Sequence, residues 1–279
     1  MNRRALEGYE KVLGPDHPST LTSVNIRARL LEIQGKYDES EMMNRRALEG
    51  RDKVLGPDHP DTLTSLSSLA ITLESQGKFA ESETMKRRAF EGRERVLGPD
   101  HPDTLSSLNN LAIALQYQGK YGESQTMHQR ALEGREKVLG PDHPDTLSSL
   151  NNIAIALHYQ GKYGESETML QRTLERRENV LGPDHPYTLT SLSNLAVMLE
   201  YQGKYGESAT MDRRALEGRE KVLGLDHPDT LTSLNNLAIT LRYQEKYDES
   251  ETMYRRALEG RDKVLGPDHP DTLSSLRDL

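Results

Sequence analysis

The sequence predicts an all-α chain: a run of stacked helical hairpins forming a right-handed superhelical solenoid. Three observations carry that reading. A 42-residue unit recurs along the 279 residues, apolar residues in each half of the unit fall at helical spacing, and all 13 prolines sit in one connector, GPDHP in most copies. A fixed period of this length means units that pack only on their neighbours.

Residues 1–16 match the second half of a unit and are expected to form its second helix only. Full units follow at 17–58, 59–100, 101–142, 143–184, 185–226 and 227–268, and residues 269–279 begin the first helix of another. The whole of 1–279 is read as a single repeat array. It opens and closes in mid-repeat, without the polar outer face that terminal repeats normally carry. A segment of a longer protein is therefore expected, as is end-to-end self-association through the uncapped terminal repeats. The amino terminus is already repeat sequence, so no signal peptide is expected.

The unit at 101–142 shows how each element arises. Proline suits the first turn of a helix and disrupts its interior, so Pro102 marks the start of helix A. Of the His and Asp before it, Asp is the better N-cap. Leu105, Leu108, Leu111, Ala112 and Leu115 make one apolar face, and Gly119 supplies the left-handed residue that ends the helix. Helix B is expected from Tyr121 to Leu139, with Tyr121, Ser124, Met127, Ala131, Leu132 and Val138 inward, and Gly140 and Pro141 stopping it. The charged run around Arg135 reads as a solvated outer face with i,i+4 ion pairs. Gly50, Gly92, Gly134, Gly218 and Gly260 lie inside helix B, where close approach of the next hairpin is one explanation, although the fourth unit has Arg176 there. Glu245 replaces the turn glycine of the sixth unit, so an altered turn and the weakest joint are expected at that point.

Composition narrows the function classes. The formal net charge is −8 with both signs interspersed, and no basic stripe marks a nucleic-acid surface. No apolar run reaches the roughly 20 residues that span a bilayer. The absence of cysteine fits a reducing compartment, and a cytoplasmic location is expected. The repeated His17 to His269 stand one unit apart and do not converge, which suits capping, not metal binding; His128 and His158 are single occurrences, read as surface residues. No nucleophile, base and orienting group stand together outside the repeat. No catalytic residue, metal or cofactor is expected.

The block L-x-x-L-A-x-x-L-x-x-Q-G-K-Y-x-E-S with a following A-L resembles the tetratricopeptide repeat, with Ala112, Gly119, Tyr121, Ser124 and Ala131 at its small and turn positions and Leu108 where Trp is usual. The 42-residue period is similar to that of kinesin light chains and of the arrays at the C-termini of fungal NLR-type immune receptors. No heptad coiled coil and no phosphate loop accompany it, so motor and switch activities are not implied. The resemblance implies a hairpin superhelix that binds a protein or peptide in a concave groove lined by helix A.

Helical spacing places Ser106, Asn110, Ile113 and Tyr117 together, opposite the leucine stripe, with Asn109 and Gln116 beside them. Equivalents are Asn151, Asn152, Ile155, His158 and Tyr159 in the fourth unit, Asn194 and Tyr201 in the fifth, and Asn235, Asn236, Arg242 and Tyr243 in the sixth. An Asn amide both donates and accepts, so a row of them suits an extended backbone; the resemblance implies that use for Asn110, Asn152, Asn194 and Asn236. Shaping the groove by bonding to neighbouring helices is the alternative. The first two units carry Ile26 and Ser68 instead, so binding is expected to centre on units three to six. Two positions vary most: Glu32, Glu74, Gln116, His158, Glu200 and Arg242 on helix A, and Asn44, Lys86, His128, Leu170, Asp212 and Tyr254 on helix B. Diversification for recognition and drift at solvated positions both account for that variation. The expected function is a non-catalytic protein–protein interaction scaffold; the alternatives are the sensor portion of a larger NLR-like receptor and a structural or self-associating spacer.

Overall fold

The computed structural model describes residues 2–279. Fourteen helices and no strand occur among them. The chain divides into two compact units, residues 1–138 and 139–279, each a stack of hairpins. In the first, α1 (Asn2–Leu13) precedes the hairpins α2 (Pro18–Ile33) with α3 (Tyr37–Leu55) and α4 (Pro60–Ser75) with α5 (Phe79–Leu97), then α6 (Pro102–Tyr117) and α7 (Tyr121–Leu139), whose last residue falls across the division. In the second, α8 (Pro144–Tyr159) pairs with α9 (Tyr163–Leu181), α10 (Pro186–Tyr201) with α11 (Tyr205–Leu223), and α12 (Pro228–Tyr243) with α13 (Tyr247–Leu265), before α14 (Pro270–Asp278).

Each helix A starts at its proline, but the cap is histidine and not aspartate. His101 Nδ1 accepts the backbone N–H of Asp103 at 3.2 Å, and His17, His59, His143, His185, His227 and His269 do the same for the residue two positions on. In five repeats the threonine three residues after the cap ties the connector down: Thr20 donates to the Gly14 carbonyl, Thr62 to Gly56, Thr146 to Gly140, Thr188 to Gly182 and Thr230 to Gly224, each at 2.8 Å.

The leucine stripe of helix A is buried as expected, in clusters such as Phe90, Leu108, Leu111, Leu115 and Ala131 of the first unit and Leu189, Leu192, Leu195 and Leu199 of the second. The inner face of helix B differs from the sequence reading. Val138 is 45% exposed, whereas Ser124, His128, Ala131, Leu132, Gly134 and Arg135 are buried. Ser40, Ser166, Ser208 and Ser250 lie against helix A and donate to the carbonyls of Ala28, Ala154, Ala196 and Ala238 at 2.6–2.9 Å. A small residue is needed there because the helix backbones come close.

The helix B glycines have the same cause, but the approaching helix belongs to their own hairpin. A Cβ on Gly50 would stand 2.7 Å from Leu21 Cδ2, and Gly92 faces Leu63 in the same way. Arg176, at this position in the fourth repeat, reaches outward instead, bonding Asp142 Oδ1 and the Pro141 carbonyl at 2.8 and 2.7 Å.

The expected solvated charge face needs two corrections. The arginine before the last turn of helix B is interior: Arg177 is 2% exposed, and Arg51, Arg135 and Arg219 are buried as well. Arg177 Nη1 donates to the Tyr187 carbonyl at 2.9 Å and Ser191 Oγ at 2.6 Å, and Nη2 to Ser148 Oγ at 2.9 Å. It therefore joins α8, α9 and α10. Burial pulls this guanidinium down to about 10, which leaves it cationic at neutral pH. The surface ion pairs run between repeats more often than along one helix. Arg88 meets Asp52, Lys120 meets Glu83 and Lys204 meets Glu167 at 2.8–2.9 Å. Glu83 is held at about 2 by Arg87 first and then by Lys120. Such exposed pairs each contribute only about 0–1 kcal/mol.

The turn at Glu245 is not altered. Glu245 adopts φ 61 and donates its N–H to the Arg242 carbonyl at 3.0 Å, while Lys246 bonds to Leu241 at 3.0 Å. Gly119 and Lys120 make the same bonds at 2.9 Å. The left-handed conformation costs a non-glycine residue about 1–2 kcal/mol, so Glu245→Gly is expected to raise stability by roughly 1 kcal/mol, read from the shift of the thermal or urea transition. Arg177→Ala removes a buried cation that serves three helices and is expected to lower stability by about 2–4 kcal/mol, measured in the same denaturation experiment.

Candidate partner-binding face

The A-helix face opposite the leucine stripe is built by the same helix positions in each repeat. In the first unit it carries a depression of about 830 Å³ lined by Asn25, Ile26, Arg29, Glu32, Ile33, Tyr37, Asn44, Ser68, Ile71 and Ser75. Ile26 and Ile71 are 51% and 50% exposed at its rim. A smaller depression of about 190 Å³ follows between the second and third repeats, where Asn110 and Ile113 meet Glu74, Lys86 and Ser107. The depression of about 830 Å³ thus lies on the two repeats without the groove asparagine, outside the stretch where the sequence centred binding.

The expected site residues separate into two sets. Asn110, Tyr117, Tyr159, Tyr201, Arg242 and Tyr243 are exposed, and Ile113, Asn152, Ile155, Asn194 and Asn236 are half-buried on the same face. Asn109, Asn151, Asn235 and His158 are turned into the scaffold. Asn109 Oδ1 accepts from His128 Nδ1 at 3.0 Å, the buried Asn151 accepts from Asn194 Nδ2 at 3.0 Å, and Asn235 Oδ1 is enclosed. His128 and His158, read as surface residues from sequence, are both buried. His128 is drawn down to about 4 by burial and then by Arg135, so it is neutral at physiological pH. His158 packs against Tyr159, Tyr163 and Tyr201 at ring distances of 5.3, 5.2 and 4.6 Å, with Nδ1 3.1 Å from Met198 Sδ.

The tyrosines serve the scaffold and remain accessible. Tyr117 stacks on Phe79 at 5.4 Å and Tyr243 on Tyr205 at 5.0 Å with rings 6° apart. In each case the last residue of helix A covers the first residue of the preceding helix B. Roughly half of each ring still faces solvent, which leaves an amphipathic edge suited to contact.

The variable helix B position is not displayed to solvent. Asn44, Lys86, His128, Leu170, Asp212 and Tyr254 are all at least nine-tenths buried, so drift at solvated positions does not account for their variation. Asn44 Nδ2 donates to Thr72 Oγ1 of the next repeat at 3.0 Å, Lys86 Nζ pairs with Glu74 at 2.5 Å, and Leu170 packs with Met198 in one cluster. Asn44 and Leu170 thus pack across a repeat junction, and Lys86 within its own hairpin.

Among the described residues no group of three or more His, Asp or Glu is arranged to hold a metal ion, and no helix is long and apolar enough to cross a membrane. What remains is an array of helical hairpins presenting a mixed apolar and amide face. Seven overlapping matches to the tetratricopeptide repeat model, from residues 1–49 to 229–279, span the chain. The chain belongs to the tetratricopeptide repeat family. No curated protein sequence matches it. Among solved structures it is similar to a kinesin light chain-like protein of Podospora anserina with nearly identical repeats, at 25% identity over 74% of this chain and 97% of that one, TM-score 0.61. BtubC of P. vanneervenii shares 19% identity over 86% of this chain and 94% of its own, TM-score 0.59. The quorum sensor NprR, solved with its cognate peptide NprX, shares 15% identity over 99% of this chain and 83% of its own, TM-score 0.62. Below 25% identity these likenesses concern the fold.

Proposed function

We propose that the chain is a non-catalytic interaction scaffold that binds a peptide or a partner protein along the A-helix face, in the cytoplasm. The observation that carries this reading is the depression of about 830 Å³ with half-exposed Ile26 and Ile71 at its rim; Asn110, Asn152 and Asn236 hold the corresponding helix A position in later repeats. Isoleucines reward apolar side chains, and the amides pair with peptide groups of any sequence. The peptide complex of NprR, on the same fold, agrees with it. Self-association is the alternative outcome. Light scattering over a range of concentrations separates the two, because a monomeric binder keeps one mass.

A photo-reactive residue placed at Ile71 or Asn152 is expected to cross-link a partner, and one at Val54 or Val222 on helix B is not. Replacing Asn110, Asn152 and Asn236 together by Ala is expected to reduce capture at least tenfold, a loss of about 1.4 kcal/mol, with the helical fold retained. Equal cross-linking from both faces, or unchanged capture by the triple variant, contradicts binding on this face.

A further inference from the structure

Within each repeat the two variable positions stand twelve residues apart on the two helices of the hairpin, and they pair Asn44 with Glu32, Lys86 with Glu74, His128 with Gln116, Leu170 with His158, Asp212 with Glu200, and Tyr254 with Arg242. Only the fifth pair consists of two acids. Asp212 is 3% exposed on α11, and Glu200 lies beside it at the end of α10. Both reach one hydroxyl on α12: Thr240 Oγ1 lies 2.9 Å from Asp212 Oδ2 and 3.3 Å from Glu200 Oε2.

Hydrogen-bond accounting shows what this arrangement needs. An ionised carboxylate only accepts, and a threonine hydroxyl has one proton to give. The neighbouring Ser208 hydroxyl is spent on the Ala196 carbonyl at 2.9 Å. The nearest cation, Arg219, directs Nη1 to Ser193 at 2.9 Å and to Ser233. The other charges bearing on the pair are Arg242 of α12, which acts on Glu200, and Asp229 of α12, which acts on Arg219. Two carboxylates therefore face one hydroxyl proton in a buried place, and a proton on either acid supplies the missing donor. The equivalent junction of the first and second repeats solves the problem with an amide. Asn44 Nδ2 donates to Thr72 Oγ1 at 3.0 Å, leaving the threonine proton for Glu32.

We propose that the junction of the fifth and sixth repeats holds a titratable proton, shared by Asp212 and Glu200 across Thr240, and that its loss loosens the packing of α11 on α12. Burial, then the Glu200 charge, pushes the Asp212 carboxyl up to about 7 against the pull of Thr240, and burial raises Glu200 as well. A carboxyl raised in the folded state contributes stability that is fully present below its unfolded value and is lost as pH rises through the folded one. The window is therefore about pH 4 to 7, with the junction tighter on the acid side.

The array supplies its own control, because Asp212→Asn reproduces the Asn44 junction. Amide-exchange protection of α11 and α12 in the full chain is expected to fall between about pH 4 and 7, and the melting temperature by roughly 2–4 °C. In Asp212→Asn both are expected to stay level. Asn44→Asp is expected to install a second such fall on α3 and α4. Carbon NMR of the Asp212 carboxyl in the unaltered chain decides the matter without a variant. An inflection near 7 supports the shared proton, and one near 4, where solvated aspartates titrate, overturns it. Matching pH profiles for the unaltered and Asp212→Asn chains overturn it too.

Discussion

A guanidinium buried among three helices is the contact on which the stack depends. Arg51 of α3 reaches Ser65 Oγ of α4 at 2.8 Å and Thr22 Oγ1 of α2 at 3.1 Å, and Arg177 repeats the arrangement on α8, α9 and α10. Leucine stripes bring hairpins together without direction, since apolar burial has none. A planar, multi-donor cation met by hydroxyls and a carbonyl fixes which hydroxyl lies opposite which helix. The geometry of the A-helix face follows, because its residues sit on the helices that these arginines hold.

Much of the scaffold was legible in the sequence because its signals are local. Prolines and glycines set the helix ends, and the leucine period sets the buried face of helix A. Helix B was harder. Its buried stripe passes through His128 and Arg135, which read as surface residues by type, while Val138 read as core and is 45% exposed. Charge on a long side chain does not decide burial when every donor finds an acceptor. The clue was available: a serine stands 14 residues after Arg51, Arg93, Arg177, Arg219 and Arg261 alike. The cap was misassigned for a simpler reason. Asp is the better cap in general, but a histidine placed directly before proline already points Nδ1 at the first free N–H.

The candidate face was legible in outline. Spacing put Asn110, Ile113 and Tyr117 on it and their equivalents after them. It could not separate Asn110 from its neighbour Asn109, because one residue turns a helix position by about 100° and only the His128 contact shows that Asn109 has turned inward. Nor could it show that a depression lies where Ile26 and Ser68 replace asparagine.

Variation between near-identical copies reads naturally as a record of partner recognition. Here the variable helix B position is interior, and its identity follows the residues it meets: an amide with a threonine, a lysine with a glutamate, a leucine with a methionine. The helix B differences sit in packed contacts, between repeats at Asn44 with Thr72 and Leu170 with Met198 and within one hairpin at Lys86 with Glu74, while the shared residues build the hairpin. The most direct measurement is a double-mutant cycle on the first junction. Asn44→Leu and Thr72→Met singly should each destabilise the chain, and together they recreate the Leu170–Met198 pairing. A favourable coupling of about 1 kcal/mol or more is the expected result, and losses that simply add would contradict matched junctions.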